Sequence, residues 1–212
     1  MRNILNNSLT KKKMRNIRKN LRNAAMITFL AVGIVFVGCN KDDDGINKDS
    51  SIIEAKNVIG VSNDVVKVKL YLDVDGEGSN TEIASADFKN GGFKIKLPKT
   101  IPAANLYPIG AKFDIDEGLV ISDKSAKYSG GFWMEIVGYD KNDDERESFK
   151  LYDSRGGDYG YVTYTYVDRN CTVKGNIYDC KFKKGWNIVY LGEFGITTTK
   201  PSGITYQWYC EE

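Results

Sequence analysis

Val66-Lys67-Val68-Lys69-Leu70-Tyr71-Leu72 alternates apolar and polar positions, and Phe93-Lys94-Ile95-Lys96-Leu97 repeats the pattern. A side-chain period of two is that of a β-strand with one face in a core and the other in water. It predicts that Val66, Val68, Leu70, Leu72, Phe93, Ile95 and Leu97 point inward, leaving Lys67, Lys69, Lys94 and Lys96 for solvent. Outward from these two stretches, residues 82–88, 131–139, 147–152, 160–167, 171–175, 178–182, 186–192 and 204–209 also read as strands. Turn-forming residues separate them: Asp75-Gly76, Asn90-Gly91-Gly92, Asp140 to Asp144, Arg155-Gly156-Gly157 and Lys184-Gly185. No window carries the period of a long amphipathic helix, and one short helical turn is predicted near 101–107. The fold class is therefore all-β, a sandwich or two packed sandwiches.

Aromatic content divides the chain. Residues 51–125 hold five aromatic side chains, whereas residues 126–212 hold eighteen, including all three Trp. That step predicts two small β-sandwich units, at 51–124 and 125–212, with a boundary near 122–130.

The N-terminal 50 residues are of another kind. A basic stretch precedes an apolar run at 24–37, and Phe36-Val37-Gly38-Cys39 is followed at once by Asn40-Lys41-Asp42-Asp43-Asp44. A basic region, an apolar region of about 14 residues and a small residue before a cut are the parts of a secretory signal. The apolar run is short of the roughly 20 residues that a spanning helix needs. A cut directly before cysteine resembles the bacterial lipoprotein signal, although Phe36 stands where that family usually has an aliphatic residue. The resemblance implies that residues 1–38 are removed and that Cys39 is acylated, anchoring the protein in the outer membrane; the alternative is an ordinary buried cysteine. Lys41, Asp42 and Asp43 are similar to the surface-export tag of Bacteroidota lipoproteins, which implies display on the cell surface rather than facing the periplasm. Read bottom-up, the same residues are an acidic tether, 39–50. Met14 begins a second, shorter signal and is the alternative start.

Charge depends on that cut. The full chain has 30 Lys and Arg against 28 Asp and Glu. Eight of the cations and none of the acids lie in residues 1–38, so a chain starting at Cys39 has 22 basic and 28 acidic residues, a net of −6. Clustered cations are what phosphate backbones require, so nucleic acid is not an expected partner.

The half at 55–100 carries Val58-Ile59-Gly60-Val61, the Val66–Leu72 strand, Ile83-Ala84-Ser85-Ala86, and Asn90-Gly91-Gly92-Phe93 leading through an alternating strand to Pro98. This resembles the transthyretin-like or carboxypeptidase-regulatory-like sandwich, an Ig-like arrangement of strands. With Gly185-Trp186-Asn187 downstream, the chain is similar to uncharacterised Bacteroidota surface lipoproteins, a resemblance that implies no activity and supplies no catalytic residue.

Histidine is absent, which excludes Ser-His-Asp and Cys-His catalysis and His-ligated zinc. No cofactor or metal is called for. A hydrolase would need two carboxylates across a cleft; the candidates are Asp114, Asp116, Glu117, Glu135 and Glu193, against the reading that such residues simply meet water. Asp140-Lys141-Asn142-Asp143-Asp144 begins like a calcium loop, yet Glu145 and Leu151 occupy the positions that need Gly and Glu; Asp73-Val74-Asp75-Gly76-Glu77 is weaker still. Both read as hairpin tips. Among the cysteines, Cys171 and Cys180 flank a short hairpin that a disulfide would close, with Cys180–Cys210 and three buried thiols as alternatives.

Aromatic side chains remain as the ligand candidates: Trp133, Tyr161, Tyr164, Tyr166, Trp186 and Trp208. Tyr164 and Tyr166 lie on one strand face, Tyr161 on the other. Some must fill the core, and those left outside form the candidate surface for a glycan or protein ligand. The function expected from sequence is a lipid-anchored, non-catalytic surface module. A carboxylate-dependent polysaccharide hydrolase and a structural subunit of an outer-membrane assembly are the alternatives.

Overall fold

The computed structural model describes residues 49–73, 80–110, 118–130, 134–156 and 159–211. They belong to one compact unit, Asp42–Glu212. Its strands are β1 (Ile52–Ala55), β2 (Lys67–Asp73), β3 (Asn80–Asp87), β4 (Phe93–Lys96), β5 (Tyr107–Pro108), β6 (Val120–Ile121), β7 (Lys127–Gly130) and β8 (Met134–Tyr139). They continue with β9 (Glu145–Asp153), β10 (Gly160–Val167), β11 (Cys171–Lys174), β12 (Tyr178–Phe182), β13 (Gly185–Gly192), β14 (Gly195–Thr197) and β15 (Tyr206–Glu211). The expected helical turn is a single 3-10 turn at Ala103–Asn105. The protein is all-β, and its sheets pack in a sandwich-like arrangement. No helix among the described residues is long and apolar enough to cross a membrane.

Strands β1 and β4 form an antiparallel ribbon. The other thirteen form one sheet in the order β3-β2-β8-β9-β10-β13-β14-β12-β11-β6, with β15 on β9, β7 on β10 and β5 on β7. Alternation places Val68, Leu70 and Leu72 of β2, Phe93 and Ile95 of β4, and Leu97 in the core, while Lys94 and Lys96 are exposed and Lys67 and Lys69 are half-buried. Val66 departs from the pattern at 44% exposure. It precedes β2, where the chain is still leaving a turn, and its neighbour Val65 takes the buried place instead.

The boundary near 122–130 is not a break between sandwiches. β2 pairs with β8 from Lys67↔Tyr139 to Leu72↔Met134, so strands from both expected units lie side by side. They also share a core, in which Ile53, Leu70 and Ile95 pack with Phe149, Tyr164, Trp186 and Trp208. The physical reason is the second edge of β2. β3 satisfies only one edge, and an unpaired edge exposes a row of backbone donors and acceptors.

A second core explains the aromatic step. It gathers Ile109, Tyr128, Val167, Val173, Phe182, Val189 and Leu191. Strands β10 and β13 are the wall between the two cores. Their antiparallel register pairs Val162 with Tyr190, Tyr164 with Ile188 and Tyr166 with Trp186 on the first face, and Thr163 with Val189 on the second. A strand buried on both faces reads as a near-continuous apolar and aromatic run, which is what residues 160–167 and 185–192 are. Gly160 opens β10 at φ +148°, and a Cβ there would sit 2.2 Å from the Leu191 carbonyl oxygen. Only glycine fits this close approach of the two wall strands.

Candidate functional site

The outer face of the sheet carries a strip of tyrosines that follows from strand alternation. β9 turns Phe149, Leu151 and Asp153 inward, so Ser148, Lys150 and Tyr152 face the other way. β15 pairs Tyr209 with Lys150 and Gln207 with Tyr152, and β10 pairs Tyr161 with Tyr152. The rings of Tyr209, Tyr152 and Tyr161 thus cross three adjacent strands. Their centroids are 6.2 Å apart for Tyr209–Tyr152 and 6.5 Å for Tyr152–Tyr161, the latter pair edge-on. All three are half-buried, with part of each side chain open to water. The Tyr152 hydroxyl donates to the Glu211 carboxylate at 2.6 Å, which fixes the central ring. Burial pushes the Tyr161 phenol up to about 12, and burial followed by the Glu211 contact raises Tyr152 as well. Both are neutral donors at any physiological pH.

Beside the strip the sheet opens into a slot of about 270 Å³. Its origin is topological. β7 pairs with β10, while the next strand, β8, pairs with β9. β10 in turn meets β9 only through Tyr161↔Tyr152 and Val162↔Leu151, and meets β7 from Thr165 onward. Where partners change, neither edge closes. Met134, Ile136, Phe149, Leu151, Val162 and Trp208 form the apolar walls; Lys150, Tyr152, Tyr161 and Thr163 line the slot from the outer face, and Tyr164 from the inner one.

The six ligand candidates divide accordingly. Tyr164, Tyr166, Trp186 and Trp208 are all under a tenth exposed and belong to the first core, so they leave the candidate surface. Trp186 donates its indole N–H to the Pro98 carbonyl at 2.8 Å and meets Tyr166 edge-on at 5.6 Å. Trp208 donates to the Glu54 carbonyl at 3.1 Å and meets Phe93 at 5.3 Å. These two indoles bolt the β1–β4 ribbon and the segment after it onto the large sheet. Gly185-Trp186-Asn187 is likewise structural: the Asn187 side chain accepts from the Lys183 N–H and donates to the Lys183 and Gly185 carbonyls. Tyr161 remains half-buried, packed against the second core with part of its side chain open to water, and Trp133 lies outside the described residues. Sequence reasoning missed Tyr152 and Tyr209, although both sit in predicted strands. The missing signal was the β15–β9–β10 adjacency, which sets three distant residues in a row.

Other expectations resolve as follows. Cys39, Lys41, Asp42 and Asp43, and the acids Asp114, Asp116 and Glu117, lie outside the described residues. Glu135 is half-buried opposite Tyr71 of β2, and Glu193 is exposed in the turn between β13 and β14, so these two acids do not share a cleft. Among the described residues the two most buried acids are occupied by local structure: Asp153 is paired with Arg155 at 2.8 Å, and Asp140 with Arg146. Asp140 also caps its own hairpin, accepting from the Asn142 and Asp144 N–H groups, while Asp143 at the tip pairs with Lys69 at 2.6 Å. The calcium-like run is a hairpin tip with its carboxylates engaged. No group of three or more Cys, Asp or Glu among the described residues is arranged to hold a metal ion.

Cys171, Cys180 and Cys210 are free thiols, which corrects the expected disulfide. β11 pairs Cys171 with Phe182 and Cys180 with Val173, so the two cysteines sit diagonally. Diagonal neighbours are ~7–8 Å apart at Cα, beyond the usual disulfide span. Cys210 is in another core altogether, on β15 opposite Phe149, where its thiol donates to the Glu147 carboxylate. Burial pushes Cys180 up to about 12 and raises Cys171 too, which leaves both as inert thiols.

No family model, curated protein or solved structure matches this chain.

Proposed function

We propose that this protein is a lipid-anchored module of the outer-membrane surface that binds a glycan or protein partner without catalysing a reaction. The observation that carries the reading is the Tyr209–Tyr152–Tyr161 strip. Aromatic rings offer large apolar faces with a polar tip, stack on the apolar C–H faces of sugar rings, and serve as anchors at protein interfaces. Strands hold these rings, so their spacing is fixed before a ligand arrives and little ordering cost remains.

The test is binding by the 45–212 fragment to a glycan array and to membrane extracts of the same cell surface, with Tyr152→Ala and Tyr209→Ala compared. Each substitution is expected to weaken the captured ligand by about tenfold or more, the effect of losing an interface anchor. Undiminished binding by both variants sinks the strip as the ligand surface.

A further inference from the structure

One end of the second core is cationic, in a chain whose residues 39–212 carry a net charge of −6. Val167 closes β10 there, between Tyr128 of β7 and Gly185 of β13. Lys127 precedes the first of these partners and Lys183-Lys184 the second, with Lys124 and Arg169 beside them. Hydrogen bonds join the segments: the Lys127 N–H donates to the Asp168 carboxylate and the Lys184 N–H to the Asn170 side chain, both at 2.8 Å. The same end takes in Lys96 and Lys99, because Trp186 donates to the carbonyl of Pro98, between them. All seven cationic side chains are exposed. Among the described residues three acids accompany them, Asp49, Asp123 and Asp168, which leaves a local net of +4. Asp123 and Asp168 are held by Arg169, at 3.8 and 3.1 Å. The ammonium groups of Lys99, Lys183 and Lys184 make no ion pair among the described residues.

The described chain starts at this end. The Ser50 hydroxyl donates to the Trp186 carbonyl at 2.7 Å, and the Leu97 N–H donates to the Ser51 carbonyl at 2.9 Å. The sequence just before is Asp42-Asp43-Asp44-Gly45-Ile46-Asn47-Lys48. We propose that the cationic end is the docking surface of the chain's own acidic run, Asp42-Asp43-Asp44. Reach permits it. Asp44 is six residues before Ser50, ~20 Å when extended, and Lys184 is two residues from Trp186, ~7 Å along the strand. Covalent linkage favours this occupant over a free anion, because a short linker holds it at an effective concentration of about a millimolar or more. Carboxylates meeting ammonium groups form charge-assisted bonds, and several charges acting together hold where one exposed pair contributes little. Docked this way, the acids that resemble an export tag lie on the folded domain and are not presented to solvent. The inference is independent of acylation at Cys39 and of what the tyrosine strip binds.

The test is zero-length carbodiimide cross-linking of the full chain in phosphatidylcholine nanodiscs, read by mass spectrometry of tryptic peptides. Cleavage after Lys41 and Lys48 isolates the run in peptide 42–48. Lys141 and Lys174 are exposed too, at the β8–β9 hairpin and at the far end of β11, and serve as references. Peptide 42–48 is expected on Lys127, Lys183 or Lys184 at least about tenfold more often than on either reference. Raising NaCl from about 0.1 M to about 1 M shortens the screening length from ~10 Å to ~3 Å and is expected to cut these cross-links at least about threefold. Lys183→Glu combined with Lys184→Glu is expected to lower the yield at Lys127, which the substitutions leave in place. Yields at Lys127, Lys183 and Lys184 no higher than at the references overturn the proposal. So does a Lys127 yield unchanged by the double substitution. Cross-links that vanish when phosphatidylglycerol replaces half of the phosphatidylcholine assign the cationic end to an anionic lipid surface, which also overturns it.

Discussion

Replacing Leu70 by Ala tests whether residues 51–212 are one cooperative structure. Leu70 is fully buried, at the centre of β2, with Ala84 of β3 on one side and Ile136 of β8 on the other. Truncating a buried leucine costs ~2–5 kcal/mol, more where the surroundings cannot collapse into the hole. Here β2 is pinned along both edges and shares its core with the β1–β4 ribbon, so the upper half of the range is expected, about 3.5–5 kcal/mol. For a domain of this size each kcal/mol lowers Tm by ~2–4 °C, giving a fall of about 10 °C. The assay is urea and thermal unfolding of the 45–212 fragment, followed by tryptophan fluorescence. Every tryptophan lies C-terminal to residue 130, and Trp186 and Trp208 sit in the same core as Leu70. The substitution should therefore displace the tryptophan transition by the whole amount, in one step that coincides with the loss of β-structure by circular dichroism. A tryptophan midpoint equal to the parent's, or two separate transitions, would show that the halves fold independently and refute the shared core.

Cys39→Ala should yield protein that takes up no labelled palmitate and no longer sediments with membranes; labelled mutant protein removes the anchor. Changing Lys41, Asp42 and Asp43 together to Ala should preserve labelling and abolish digestion by protease added to intact cells, and equal digestion of mutant and parent removes the surface claim. Stability should be flat near neutrality and fall at both extremes. Asp140 and Asp153 are held below the usual carboxylate value, chiefly by Arg146 and Arg155. Such acids stabilise the fold above their unfolded value of ~4, and that stability is lost as pH falls through the folded value. Tyr128 and Tyr161 are pushed up to about 12 by burial, so stability falls as pH rises from the unfolded phenol value of ~10; a folded protein whose phenols all titrate near ~10 contradicts their burial. Thiol counting with a small alkylating reagent should find Cys171 and Cys180 unreactive until the protein unfolds and three thiols afterwards in 45–212; a lower final count means that a disulfide forms.

Local pattern was enough for the class of fold. Alternation at 66–72 and 93–97 named the inward residues because a half-buried strand exposes every second side chain, and Val68, Leu70, Leu72, Phe93, Ile95 and Leu97 are buried. Strand β10 was legible to the residue, since Tyr, Thr and Val fill every position after Gly160 and leave little other choice. Val66 failed because alternation holds only once the strand has begun. Short elements escaped as well: β5 and β6 are two residues each, too short to show a period.

Pairing of distant strands was not legible. Nothing local to β2 says that its second edge will take β8 rather than a strand of its own half, and that one choice turns two predicted sandwiches into a single unit. The same holds for the site. A tyrosine on a strand reads identically whether its face meets a core or water. Tyr164 and Tyr161 are three residues apart and of one chemistry, yet the first is buried in the first core and the second is half-buried with part of its side chain open to water. By itself the sequence determined that this chain is made of strands and which positions alternate. Tertiary structure alone decided which strands became neighbours, because strand pairing is made through backbone groups that every residue carries alike. From those neighbours came the row of Tyr209, Tyr152 and Tyr161, and the opening beside it.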